Sequence, residues 1–128
     1  MLLIRKFSNL NFFFIFISFL ILEYAFINSD FSLSLIANNS HTSKPMIYKI
    51  SGLWGNHEGS MLLWILILTF FTFLVSKTKV IPKGIFFSNV LGIQNLVIFS
   101  FLLFVLFLSN PFERTESIPF EGKGLNPL

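Results

Sequence analysis

A chain of 128 residues that is 54% hydrophobic and 12% charged, with 19 Phe and a mean hydropathy of +0.77, departs far from the mixed composition of a soluble domain. The formal net charge of +3 is small, and its basic residues sit in short segments beside apolar runs, which argues against nucleic acid as a partner. With no Cys there is no disulfide framework, thiolate metal site or cysteine nucleophile. The excess of Phe, Ile, Leu, Asn and Lys is what an A+T-rich genome encodes, and organellar genomes are a common source of such membrane proteins.

Three segments, 7–27, 59–76 and 85–109, are long enough to cross a hydrocarbon core of about 30 Å, which takes roughly 20 residues at about 1.5 Å each. The expected fold is therefore an all-α polytopic membrane protein, since only helices or a closed barrel satisfy backbone polar groups in lipid. The first segment follows Arg5 and Lys6 and reads as a retained anchor: it is too long for a signal peptide and lacks a small-residue cleavage pattern. It holds Asn9, Asn11 and Ser18, and one charge, Glu23, near its far end. An intramembrane carboxylate is a functional candidate by default, and the nearness of Glu23 to the outer end leaves an interfacial or hydrogen-bonded carboxylate as an equal alternative.

The connection 28–58 carries a polar tract from Ala37 to Ser43, then Pro45 and a short amphipathic piece from Met46 to Leu53 suited to the membrane surface. His41, in that polar tract, reads as solvated. The connection ends in Trp54-Gly55-Asn56-His57-Glu58-Gly59-Ser60, followed at once by the apolar run from Met61. A carboxylate, an imidazole and indoles at the mouth of a spanning helix sit where hydrocarbon gives way to headgroups, so Trp54, His57 and Glu58 are the site candidates. Glu58 meets the positive end of the helix dipole, which favours its ionised form, and it is placed to orient His57, while Trp54 offers a flat face. The plainer reading is that Glu58 caps the helix, His57 bonds a loop carbonyl and Trp54 anchors the interface.

Within the second segment Thr69, Thr72 and Ser76 share one face, the pattern of a helix contact. The turn after it carries Lys77, Lys79 and Lys83 with Pro82 and Gly84, and reverses the chain. Short basic segments stay on the side of insertion, so Arg5, Lys6 and this turn are expected inside, and the loop 28–58 and the tail 110–128 outside. The N-terminus then lies inside and the C-terminus outside.

The stretches Ser29-Asp30-Phe31 leading to Ala37-Asn38-Asn39-Ser40, Tyr48-Lys49-Ile50-Ser51 running through the septet into Met61-Leu62-Leu63-Trp64, and the tail from Asn110-Pro111-Phe112-Glu113-Arg114 to Gly122-Lys123-Gly124-Leu125-Asn126-Pro127-Leu128 occur in order. Together they resemble the CcmF family, the haem-lyase subunit of bacterial-type cytochrome c maturation, also encoded in many mitochondrial genomes. The resemblance covers the chain from about Leu20 onward and places it at the front of a longer protein, without the family's first span, as a truncated stretch or one piece of a split gene. It implies haem as cofactor, the remainder of the lyase, a haem chaperone and apocytochrome c as partners, and the mitochondrial inner membrane or a bacterial plasma membrane as the setting. In that role Trp54, His57 and Glu58 would line an outer haem-handling surface, and the chain alone would not be active. The family's haem-ligating histidines lie in segments beyond Leu128 and do not transfer. A small non-catalytic membrane subunit of a respiratory complex fits the composition equally, but needs no Asn-Pro-Phe and Gly-x-Gly-Leu-Asn-Pro at a helix exit. A small haem carrier would have only His41 and His57 as ligands.

Overall fold

The computed structural model describes residues 1–124; the Leu125-Asn126-Pro127-Leu128 end of the tail motif lies outside them. Five helices follow in order: α1 (Leu2–Ile27), α2 (Ser34–Asn39), α3 (Met46–Gly52), α4 (His57–Lys77) and α5 (Ile85–Leu108). Among the described residues there is no strand, and one isolated antiparallel bridge joins Leu33 to Arg114. The 26, 21 and 24 residues of α1, α4 and α5 make rods of about 39, 31 and 36 Å, apolar enough throughout to cross a membrane.

α1 starts at Leu2, so Arg5 and Lys6 lie within its first turns instead of preceding it. Arg5 explains this: its Nε donates to the Ser76 carbonyl at 3.0 Å, placing a cation on the negative end of α4 while its stem stays against the bundle. Arg5 therefore shares one end of the bundle with the lysine turn.

α1 and α4 pack through phenylalanines. The Phe12 ring stacks on Phe73 with centroids 5.0 Å apart and tilts against Phe70 at 5.6 Å. Thr69, Thr72 and Ser76 are all buried, as a helix contact requires. Their hydroxyls donate back to the carbonyls of Leu66, Leu68 and Phe73 at 2.7–2.9 Å, so small side chains let the helices approach with no unmet donor. The Ser76 hydroxyl oxygen also lies 2.9 Å from Asn9 Oδ1, an alternative acceptor for its single proton. α5 is held to α1 by a buried amide: Asn95 Nδ2 donates to Ser8 Oγ at 2.9 Å, and Asn95 Oδ1 accepts from Asn11 at 3.2 Å.

The connection 28–58 is more ordered than its polar tract suggests. Phe31, Leu33, Leu35, Ile36, Ala37 and Leu53 are buried and form one cluster with Leu22 and Phe26 of α1. The tail closes over them through four backbone bonds: Ser34 N–H to Glu113 O at 2.9 Å, Thr115 N–H to Ser32 O at 3.0 Å, Lys123 N–H to Ala37 O at 2.8 Å and Gly124 N–H to Ser40 O at 3.0 Å. Gly122 permits this closure, since a Cβ there would stand 1.9 Å from the Ser40 carbonyl oxygen. α3 occupies the amphipathic piece, buries none of its residues fully, and lies against α1 where Gly52 meets the Phe26 ring. Loop and tail thus form one folded cap at the end of the bundle opposite the lysine turn.

Candidate functional site

α4 begins at His57 because Asn56 caps it. The Asn56 side chain accepts the Gly59 N–H at 2.7 Å and donates to the Gly52 carbonyl at 2.7 Å, tying the end of α3 to the start of α4. The cap is therefore Asn56, and Glu58 is left without that role. Gly59 is compelled by the same junction: a Cβ there would fall 1.6 Å from the Leu53 carbonyl oxygen. The backbone that approaches this glycine belongs to the chain itself.

His57 does not pair with Glu58 or with a loop carbonyl. Its Nδ1 lies 2.8 Å from Ser109 Oγ, joining the start of α4 to the residue that ends α5. The ring is otherwise at the surface. Glu58, one residue on and about 100° around the helix, is half-buried on the wall of a cleft of about 360 Å³. Ser34, Asn38 and Asn39 of α2 form one side of that cleft, and the last turn of α5 with Ser109, Asn110 and Glu113 forms the other. Both charged residues on its wall, Glu58 and Glu113, are acidic. The last carbonyls of a helix are turned toward the same space, so the cleft suits polar or cationic groups.

Trp54 is 46% exposed on the turn before α4 and takes no part in the cleft, and Trp64 is 60% exposed on α4 itself. Both indoles suit an interfacial position. A porphyrin calls for a largely apolar slot and an inward axial ligand. The cleft walls are polar and Trp54 lies outside them, so the cleft itself is not an apolar porphyrin slot. Among the described residues no group of three or more His, Cys, Asp or Glu side chains converges on a metal position.

Glu23 stands apart. Its two carboxylate oxygens are inaccessible and have no hydrogen-bond partner among the described residues, in contrast to the hydrogen-bonded alternative. On α1 it continues the stripe of Asn9, Phe12 and Phe16 that turns toward α4. His41 lies in the cap, with Nδ1 2.7 Å from Ser43 Oγ and 3.8 Å from Glu121 Oε1. Glu121 accepts from the Thr42 N–H at 2.9 Å and hydroxyl at 2.6 Å, and these bonds, with the Gly122 N–H and the His41 charge, hold its carboxyl below the usual range. Burial pushes the Lys44 ammonium down, and it donates to the Asn39 carbonyl at 3.0 Å. Sequence reading does not single out Ser109 and meets Glu113 only within the tail motif, without placing either at the site; the polar break after the long apolar run 85–108 is the local signal for Ser109.

The architecture defines a class first: a three-helix membrane bundle whose loop and tail make a folded cap, with a polar cleft between the cap and the helix ends. Comparison with known proteins narrows that class. The chain is 52% identical over 113 residues, 88% of its length, to the cytochrome c-type biogenesis protein ccl1 of Rhodobacter capsulatus. It is 49% identical over 112 residues to CycK of Rhizobium meliloti and 46% identical over 113 residues to CcmF of Escherichia coli, both cytochrome c-type biogenesis proteins. These homologues are bacterial, and the chain spans only 16–17% of their length. No family model matches the chain, and no solved structure does.

Proposed function

We propose that the chain is the front part of a CcmF-type cytochrome c haem lyase, acting in cytochrome c biogenesis. The observation that carries this reading is the homology to cytochrome c-type biogenesis proteins across 88% of the chain, including the septet at the mouth of α4. The assembled lyase would handle haem supplied by a haem chaperone and attach it to apocytochrome c. This chain would contribute a membrane bundle and an outward cap, with the remainder of the lyase completing the haem site. The A+T-type composition supports the mitochondrial inner membrane as the setting, and the bacterial relatives make a bacterial plasma membrane the alternative. The basic turn Lys77–Lys83 supports an orientation with the cap on the outer side.

Within that assembly Trp54, His57 and Glu58 are proposed as contacts on the outer haem-handling surface. Glu58 offers a carboxylate on the cleft wall, His57 fixes the α4–α5 junction through Ser109, and Trp54 presents an exposed ring. A small non-catalytic subunit of a respiratory complex is favoured by none of these relatives. The test replaces His57→Ala and Glu58→Gln separately in the assembled lyase and measures lyase abundance and cytochrome c maturation. Lost maturation at unchanged abundance supports the assignment. Parallel loss of both, or of neither, overturns the site.

A further inference from the structure

Gly59 and Gly122 are explained by backbone that presses on them, but Gly92 is not. It lies in the middle of α5, and a Cβ built there meets nothing within 4 Å. A mid-helix glycine weakens a helix relative to alanine, so a glycine with no neighbour in its own chain is a cost without a return there. Gly92 opens into a groove of about 440 Å³ between α5 and the first turns of α1, walled by Leu3, Ile4, Lys6, Phe7, Leu10 and Asn95. The groove exists because α1 and α5 meet at the Ser8–Asn11–Asn95 cluster, and the apolar surface beside it is left uncovered.

We infer that this groove is the docking site for a membrane helix from the rest of the lyase, an assignment that rests on the function proposed above. Two features select that occupant. The chain spans 17% of its Rhodobacter relative, so most of the length of such a protein lies outside it. A glycine facing a groove inside a span lets a second helix backbone come close, which is how helices associate where lipid tails are as apolar as leucine. An acyl chain makes no such demand on Gly92. Phe7 and Leu10, each about half exposed, would seal the approach from the α1 side.

The experiment co-expresses the tagged 128-residue chain with the Rhodobacter relative deleted for the segment that the chain matches. Wild type and Ile93→Phe, a change on an exposed face turned away from the groove, should recover equal amounts of that fragment. Gly92→Leu should recover about tenfold less, while the circular dichroism of the purified variant shows helix content equal to or above that of wild type. A photoreactive benzoylphenylalanine replacing Phe7 should cross-link to the fragment. Recovery that is indifferent to Gly92, or cross-links only to lipid or to a second copy of the chain, overturns the docking site alone. No recovery of the fragment by any variant overturns the lyase assignment and the docking site with it.

Discussion

Replacing Gly59 by alanine tests whether the mouth of α4 is as tightly built as its backbone indicates. The new Cβ would sit 1.6 Å from the Leu53 carbonyl oxygen and 2.9 Å from Asn56 Oδ1. Restoring ordinary contact near 3.5 Å requires about 2 Å of relative movement between the α3 exit and the first turn of α4. That overpacking costs about 1–3 kcal/mol, and strain on the 2.7 Å cap bond from Asn56 costs about 1 kcal/mol more. Alanine returns up to about 1 kcal/mol of helix propensity. The net loss is about 1–3 kcal/mol, from about 5-fold to somewhat over 100-fold in the unfolding equilibrium. Thermal unfolding in detergent, followed by the emission of Trp54 and Trp64, reads this loss. Trp54 directly follows the displaced Leu53. Gly92→Ala is the control, because its Cβ meets nothing within 4 Å and should stabilise the isolated chain slightly. Equal unfolding temperatures for the two variants would refute the reasoning.

Acidification should loosen the cap through Glu121. Folding lowers its pKa, so its contribution is fully present above the unfolded carboxyl value of about 4.3 and is lost as pH falls through the lower folded value. Hydrogen-exchange protection of the Lys123 and Gly124 amides should fall across that window in wild type, and Glu121→Gln should remove the dependence. Asn95→Ala should cost about 1–2 kcal/mol by deleting the Ser8 and Asn11 bonds, measured as a lower unfolding temperature in detergent. Reporter cysteines at Ser43 and Ser117 should label from one membrane face and a reporter at Thr78 from the other. Labelling of all three from the same face would contradict a bundle with its cap at one end and its lysine turn at the other.

The spanning helices were legible because hydropathy and length are summed over some twenty residues, so single exceptions such as Glu23 do not obscure them. The Thr69–Thr72–Ser76 face was legible from helical spacing alone. The cap was not, because its closing bonds join residues far apart, such as Thr115 to Ser32, and local composition reports only the polar tract. One signal was available: Phe31, Leu33, Leu35 and Ile36 are large apolar residues inside the loop, and the fold buries all four, although through a turn and α2 and not the extended strand that their alternation with serines suggests. At the site, the septet located the mouth of α4, but the choice of partners depended on the fold. Asn56 took the capping role expected of Glu58, and His57 found Ser109 because α5 ends where α4 begins. Polar side chains at such a junction have several possible partners along the chain, and only packing chooses among them.

The cap also orders events during synthesis. Thr42 and Glu121, which clasp loop to tail, are 79 residues apart in the chain. At about 5–20 residues per second the ribosome needs roughly 4–16 s to make the intervening stretch. Throughout that interval Phe31, Leu33, Leu35 and Ile36 await their cover, and the tail reaches them only after α5 has crossed the bilayer. The clasp can therefore close only after α1, α4 and α5 have been threaded so that loop and tail meet on the same side. If α5 failed to insert, the tail could not reach the loop, and that apolar surface would stay uncovered.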